Sequence, residues 1–179
     1  MLLIRFCNRL KRKSNQHWVS FCFIFFTVYF FYTIPAYAAC SGLGCSCAVT
    51  PAPTAVAFGN YNPTSGAADT TTGNIAVTCS ALVIFTASYV ISLSTGGSGS
   101  FATRFMNLTG NHLNYNLYTQ VGHTTIWGDG TAGTVTVSDS YTAVGLSQTR
   151  NYTVFGLLPA LQPVPAGAYT DTITVTVTY

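Results

Sequence analysis

After residue 40 the chain alternates apolar and polar positions with a period of two. Residues 85–93 place Phe85, Ala87, Tyr89, Ile91 and Leu93 on one face. Residues 113–118 do the same with Leu113, Tyr115 and Leu117, and residues 173–179 with Ile173, Val175, Val177 and Tyr179. Such alternation predicts strands half buried in a sheet. Val and Thr fill most of residues 173–179, and their branched side chains suit a pleated surface. Between the runs stand turn signals: Asn62-Pro63, Gly96-Gly97-Ser98-Gly99, Gly128-Asp129-Gly130 and the Pro163–Gly167 stretch. Glycine there supplies positive φ and proline a fixed φ. No helical stripe of useful length follows residue 40, and no repeat or linker divides residues 47–179. The expected fold is all-β: a sandwich of about seven short antiparallel strands.

The first forty residues read differently. Arg5, Arg9, Lys11, Arg12 and Lys13 form a basic start, and no charge follows from Trp18 to Ile34. Pro35 breaks any helix there, and Ala36-Tyr37-Ala38 fits a small-x-small cleavage site. Residues 1–38 are therefore expected to be a signal peptide, and the mature chain not to be membrane-embedded. The competing reading is an uncleaved anchor, but seventeen uncharged residues are short for a membrane helix. A lipoprotein signal ending at Cys40 is disfavoured by Tyr37, where such signals favour Leu.

Export decides the cysteine chemistry. Cys7 and Cys22 lie in the leader; Cys40, Cys45, Cys47 and Cys79 remain, an even number in an oxidising compartment. Four cysteines allow three pairings. Cys47 with Cys79 is expected, since each sits in or beside an apparent strand, and Cys40 with Cys45 would then close a small loop. A metal site lacks the paired spacing that zinc demands.

Charge narrows the function further. Beyond residue 38 the cations are Arg104 and Arg150 against Asp69, Asp129, Asp139 and Asp171, a net charge of −2. Nucleic-acid binding needs a basic stripe on the folded domain, which these residues do not supply. With 49% hydrophobic residues the chain has ample material for a core. No nucleophile elbow, zinc-helix signature or phosphate-binding glycine loop occurs. Asp129 and Asp171 look like turn and cap residues bonding their own backbone. His112 and His123 lie in unrelated turn-like surroundings. No enzyme and no cofactor are expected. Trp127 is read as packed over one end of the sandwich rather than as a sugar platform. Two glycosylation sequons, at Asn107 and Asn151, matter only in a host that reads them.

Several motifs then stand in order: Cys47, Phe58-Gly59-Asn60-Tyr61, Gly73 to Cys79, Tyr89 to Ser94, Arg104-Phe105-Met106, Leu113 to Tyr118, Ile126 to Gly130, Tyr152 to Gly156 and Gly167 to Tyr179. Together they resemble the spore coat protein U domain family, whose members include secreted pilin subunits of archaic Csu-type chaperone–usher systems. The resemblance spans nearly all of residues 47–179. It implies an incomplete immunoglobulin-like sandwich, and as partners a periplasmic chaperone, an outer-membrane usher and other pilin subunits. It further implies export to the cell surface and assembly into fibres for adhesion or biofilm formation.

An incomplete sandwich leaves an unpaired sheet edge and an apolar groove that a strand from another chain can fill. In chaperone–usher pilins the last strand borders that groove. Ile173, Val175, Val177 and Tyr179 are accordingly the expected groove residues. The segment 39–46 carries two glycines, one large apolar residue and an expected tight disulfide, so it cannot serve as a donor strand. The subunit is therefore expected to accept a strand without lending one. The alternative is a monomeric secreted β-sandwich that binds carbohydrate or coats a surface.

Overall fold

The computed structural model describes residues 38–179; the expected signal peptide lies outside the described residues apart from Ala38. Among the described residues, nine strands form two antiparallel sheets, with one turn of 3₁₀ helix at Gly96–Ser98. They are β1 (Ala39–Ser41), β2 (Ser46–Val49), β3 (Asp69–Ser80), β4 (Ile84–Leu93), β5 (Arg104–Leu108), β6 (Asn111–Tyr118), β7 (Val137–Val144), β8 (Ser147–Leu158) and β9 (Val175–Thr178). The all-β sandwich stands as expected. The count exceeds seven because β1 and β2, in the cysteine-bearing start, are too short to show alternation.

One sheet runs β2-β3-β8-β6-β5. The other centres on β4. Strand β7 covers one edge of β4 from Ile84 to Ile91. Strands β1 and β9 share its other edge end to end, β1 against Thr86–Ser88 and β9 against Val90–Leu93.

The alternating residues meet between the sheets. Phe85, Ala87, Tyr89, Ile91 and Leu93 of β4 are all at most 2% exposed. They pack with Ile75, Val77 and Cys79 of β3, Leu113, Tyr115 and Leu117 of β6, and Val154 and Leu158 of β8. Each Val, Leu, Ile or Phe among them contributes roughly 1.5–3 kcal/mol by leaving water. Trp127 is also buried, and its indole N–H donates to the Ile91 carbonyl at 3.1 Å. It is a core residue and offers no exposed aromatic platform.

The final alternating stretch is less regular than its sequence. Only Val175–Thr178 pair as a strand with β4, because β4 ends at Leu93 and the chain then turns at Gly96–Ser98. Five residues before β9, Thr170 exchanges two backbone hydrogen bonds with Asn107 of β5 in the other sheet. The segment from Thr170 to Thr178 thus crosses from one sheet to the other.

Candidate functional site

A groove of about 380 Å³ opens where that crossing segment faces the chain between β2 and β3. One wall is Pro53 to Phe58; the other is Asp171 to Val175. The floor is made by Ile75, Leu93, Met106, Tyr115, Leu117 and Val154. It therefore runs over the inner side chains of both sheets.

The first wall is built by alternation the sequence carries at Thr54-Ala55-Val56-Ala57-Phe58. It hangs from β3 at one point: the Thr54 N–H donates to the Asn74 carbonyl at 2.9 Å, and the Asn74 N–H donates to Thr54 Oγ1 at 2.7 Å. Beyond that point the wall lies on the inner face over two glycines. A Cβ at Gly73 would stand 2.8 Å from Val56, and one at Gly156 would stand 2.5 Å from Val56 and 2.9 Å from Phe58. The missing side chains form a notch that seats Val56, while Phe58 meets the edge of the Tyr115 ring at 6.0 Å. Glycine inside a strand often marks such a close approach.

The second wall presents an open backbone edge. The Ser94 N–H donates to the Thr174 carbonyl at 3.0 Å, so Thr174, Thr176 and Thr178 turn their backbone groups toward β4. By the alternation of an antiparallel pair, the N–H and C=O groups of Ile173, Val175 and Val177 point the other way. Ile173 and Val175 also line the groove with their side chains. Val177 is half-buried on the core opposite Ile91. Tyr179 lies past the end of β9 and is 46% exposed.

Asp171 fixes the near end of this wall. Its Oδ1 accepts from the N–H groups of Gly97 at 2.9 Å and Thr172 at 2.8 Å, and its Oδ2 accepts from the Tyr115 hydroxyl at 2.7 Å. Sequence reasoning made it a cap of its own backbone, which the Thr172 bond matches; the ties to β6 and to the Gly96–Ser98 turn it did not reach. Oδ2 occupies the space that a Cβ of Gly96 would need, and Gly96 itself sits at φ +67°. Burial, reinforced by the bond to Asp171, pushes the Tyr115 hydroxyl well above its ordinary range.

Behind Tyr115 lies Arg104, fully buried. Its guanidinium donates to the carbonyls of Ser94 and Trp127 at 2.8 Å and to Asn116 Oδ1 at 2.9 Å. Phe101 stacks on it at 5.1 Å. Burial lowers its pKa, and the nearby Tyr115, Asp171 and Asp129 work against that.

The remaining candidates lie elsewhere. Asp129 binds only its own turn, at the N–H and hydroxyl of Thr131. Asp139 accepts from the Tyr152 hydroxyl across the two sheets at 2.6 Å. His112 stacks on Phe105 at 3.7 Å, and His123 meets the Tyr118 ring edge at 5.2 Å. Cys40 is bonded to Cys45 and Cys47 to Cys79, and the two pairs touch, with Cys47 Sγ 3.8 Å from Cys40 Sγ. Val56 is in none of the sequence motifs, and Phe58, Gly73 and Gly156 stand there only as marks of the family resemblance, with no groove role. The alternation at 54–58 was the signal that could have found the first two.

One pole is unusually apolar. Leu43, Leu82, Val83, Ile84, Val144 and Leu146 are each more than half exposed. Three turns bring them together: the Leu82 N–H donates to the Leu43 carbonyl, the Ala81 N–H to the Leu146 carbonyl, and Ile84 pairs with Val144.

The model of the Spore Coat Protein U domain matches residues 36–176. No curated protein matches the chain. Among solved structures it is similar to a chain of the CsuC–CsuE chaperone–tip adhesion subunit pre-assembly complex, from the archaic chaperone–usher Csu pili of Acinetobacter baumannii. The identity is 20% and the TM-score 0.48, over 75% of this chain and 40% of that one. This chain thus spans less than half the length of its structural relative.

Proposed function

Because this chain belongs to the Spore Coat Protein U domain family, we propose that it is a secreted structural subunit of a chaperone–usher surface pilus, completed by a donor strand from another chain and serving adhesion or biofilm formation. The observation that carries this reading is the groove. It combines an apolar floor with a backbone edge at Ile173, Val175 and Val177 that pairs with no strand among the described residues. An inserted strand would gain backbone hydrogen bonds from that edge and bury every second side chain. Each large apolar side chain it buries contributes ~1.5–3 kcal/mol, and several of these offset the cost of ordering the donor. Ile173 and Val175 are the groove residues of this proposal; Val177 extends the edge, and Tyr179 adds little because it lies past β9.

The partners are then a periplasmic chaperone that shields the groove, an outer-membrane usher and other pilin subunits, and the destination is the cell surface. The role is structural, not catalytic. Residues 39–46 are engaged at home: Ala39–Ser41 pair with β4, and Cys40 is tied to Cys45. This supports a subunit that does not lend this segment. The apolar pole supports the adhesive part of the reading, since contiguous exposed apolar patches mark interaction sites.

The test is export of the chain with and without a co-expressed periplasmic chaperone of a chaperone–usher system, followed by addition of a synthetic peptide of alternating Val and Thr. Aggregation without chaperone, solubility with it, and a peptide-dependent rise in Tm are expected. A stable soluble monomer indifferent to the peptide would favour the self-sufficient secreted sandwich. A second arm changes the pole by Leu43→Ser, Leu82→Ser and Leu146→Ser. Attachment to a hydrophobic surface is expected to fall while peptide uptake persists; unchanged attachment would remove the adhesive role.

A further inference from the structure

We propose that Asp171 sets the register of the incoming strand, by disfavouring a carboxylate and favouring a hydroxyl, amide or cationic side chain at the one donor position that faces it. This rests on the donor-strand reading above and specifies what the donor must look like. An alternating apolar strand in an apolar groove has a weakness: sliding by two residues returns the same face to the floor. Something must break that degeneracy. The groove is lined by apolar and hydroxyl-bearing side chains, and Asp171 is the one carboxylate among them.

The geometry makes this carboxylate a fixed reference. A carboxylate has about four acceptor positions. Three are filled, by the N–H groups of Gly97 and Thr172 and by the Tyr115 hydroxyl. One is left on Oδ2 for a donor side chain. The group cannot swing away from a like charge, because it is held from two neighbouring elements and fitted against the bare Cα of Gly96. The nearby cation cannot substitute for it. Arg104 is fully buried, and its guanidinium is committed to Ser94, Asn116 and Trp127. A strand in the groove therefore meets negative charge at one end and none elsewhere. Like charges placed together suppress wrong pairings and fix register.

The experiment measures binding of fluorescent Val/Thr alternating peptides to the full chain. Each inward Val is replaced in turn by Glu and by Lys. At one position Glu is expected to bind about tenfold more weakly than Lys, with ratios near one elsewhere. In Asp171→Asn the ratio at that position should collapse toward one. Asn keeps the acceptor for Gly97 and Thr172, and the Tyr115 hydroxyl can accept from its amide. A flat Glu/Lys scan in the wild type overturns the proposal, as does a position-specific ratio that survives in the Asn variant. If Asp171→Asn fails to fold, the wild-type scan alone decides. If the uncharged parent peptide does not bind the wild type, the donor-strand reading itself falls and this inference with it. Binding of the parent with a flat scan removes the inference only.

Discussion

Arg104 is a buried cation with no carboxylate in contact. It is tolerable because its donors are met by two backbone carbonyls and one side-chain amide. It ties together Ser94 just past the end of β4, Asn116 of β6 and the backbone at Trp127. Asn116 passes the connection on, its amide donating to the Phe101 carbonyl at 2.8 Å. A hydrogen bond to a charged group contributes about 1.5–3 kcal/mol, and buried acceptors left alone cost more. Arg104→Met is therefore expected to lower unfolding free energy by about 3–5 kcal/mol, read from urea denaturation at neutral pH. A loss below about 1 kcal/mol would mean that water replaces the guanidinium at little cost.

At the scale of elements, the groove exists because one segment lies low and another stands open. Residues 54–58 reach their depth through the notch at Gly73 and Gly156. Gly156 pairs with Thr71 inside the longest ladder of the fold, β3 against β8. A methyl group there meets Val56 and Phe58 from below. Gly156→Ala should cost about 1–3 kcal/mol through overpacking, or lift the wall and reshape the groove. Both outcomes are measurable, as a lower Tm or as weaker peptide binding. An alanine variant matching the wild type in both would show that the segment does not sit on the glycines. Strand β9 explains the open wall: one edge serves β4, and the other pairs with no strand among the described residues.

At the scale of the whole molecule, a polar clasp joins the two sheets through their apolar interior. The hydroxyls of Tyr89 on β4 and Tyr152 on β8 lie 2.5 Å apart, and Tyr152 donates to Asp139 on β7. Burial, chiefly, pushes the Tyr89 hydroxyl up to about 12. Burial and its bonds to Asp139 and Tyr89 raise Tyr152 as well. Unfolding exposes both at their ordinary value of 10. The unfolded chain thus loses these protons first, and stability falls as pH rises. The contribution is complete below about pH 10 and is lost as pH climbs through 12. Denaturation midpoints should drop steeply across that window, and less steeply in Tyr89→Phe. A flat profile there would break the link between the clasp and the two-sheet fold.

The inner face of β4 was readable from its residues, because a pleated strand sends alternate side chains to opposite sides whatever its neighbours do. The same held for β6 and for the burial of Trp127. The last stretch shows where that stops: its alternation runs unbroken from Ile173 to Tyr179, yet β9 begins only at Val175, because its partner β4 runs out at Leu93 opposite it, and it stops at Thr178 opposite Val90, next to the stretch of that edge held by β1. Local pattern alone also made Asp171 a cap, while its placement against Tyr115 and Gly97 joins residues 56 and 74 positions apart. The notch under Val56 likewise needs β3 and β8 side by side before its two glycines meet. Sequence by itself determined which side of each long strand is apolar, since period two is a local property of the backbone. Only the tertiary structure decided which edge stays open and which carboxylate faces it, since both depend on contacts between residues far apart along the chain.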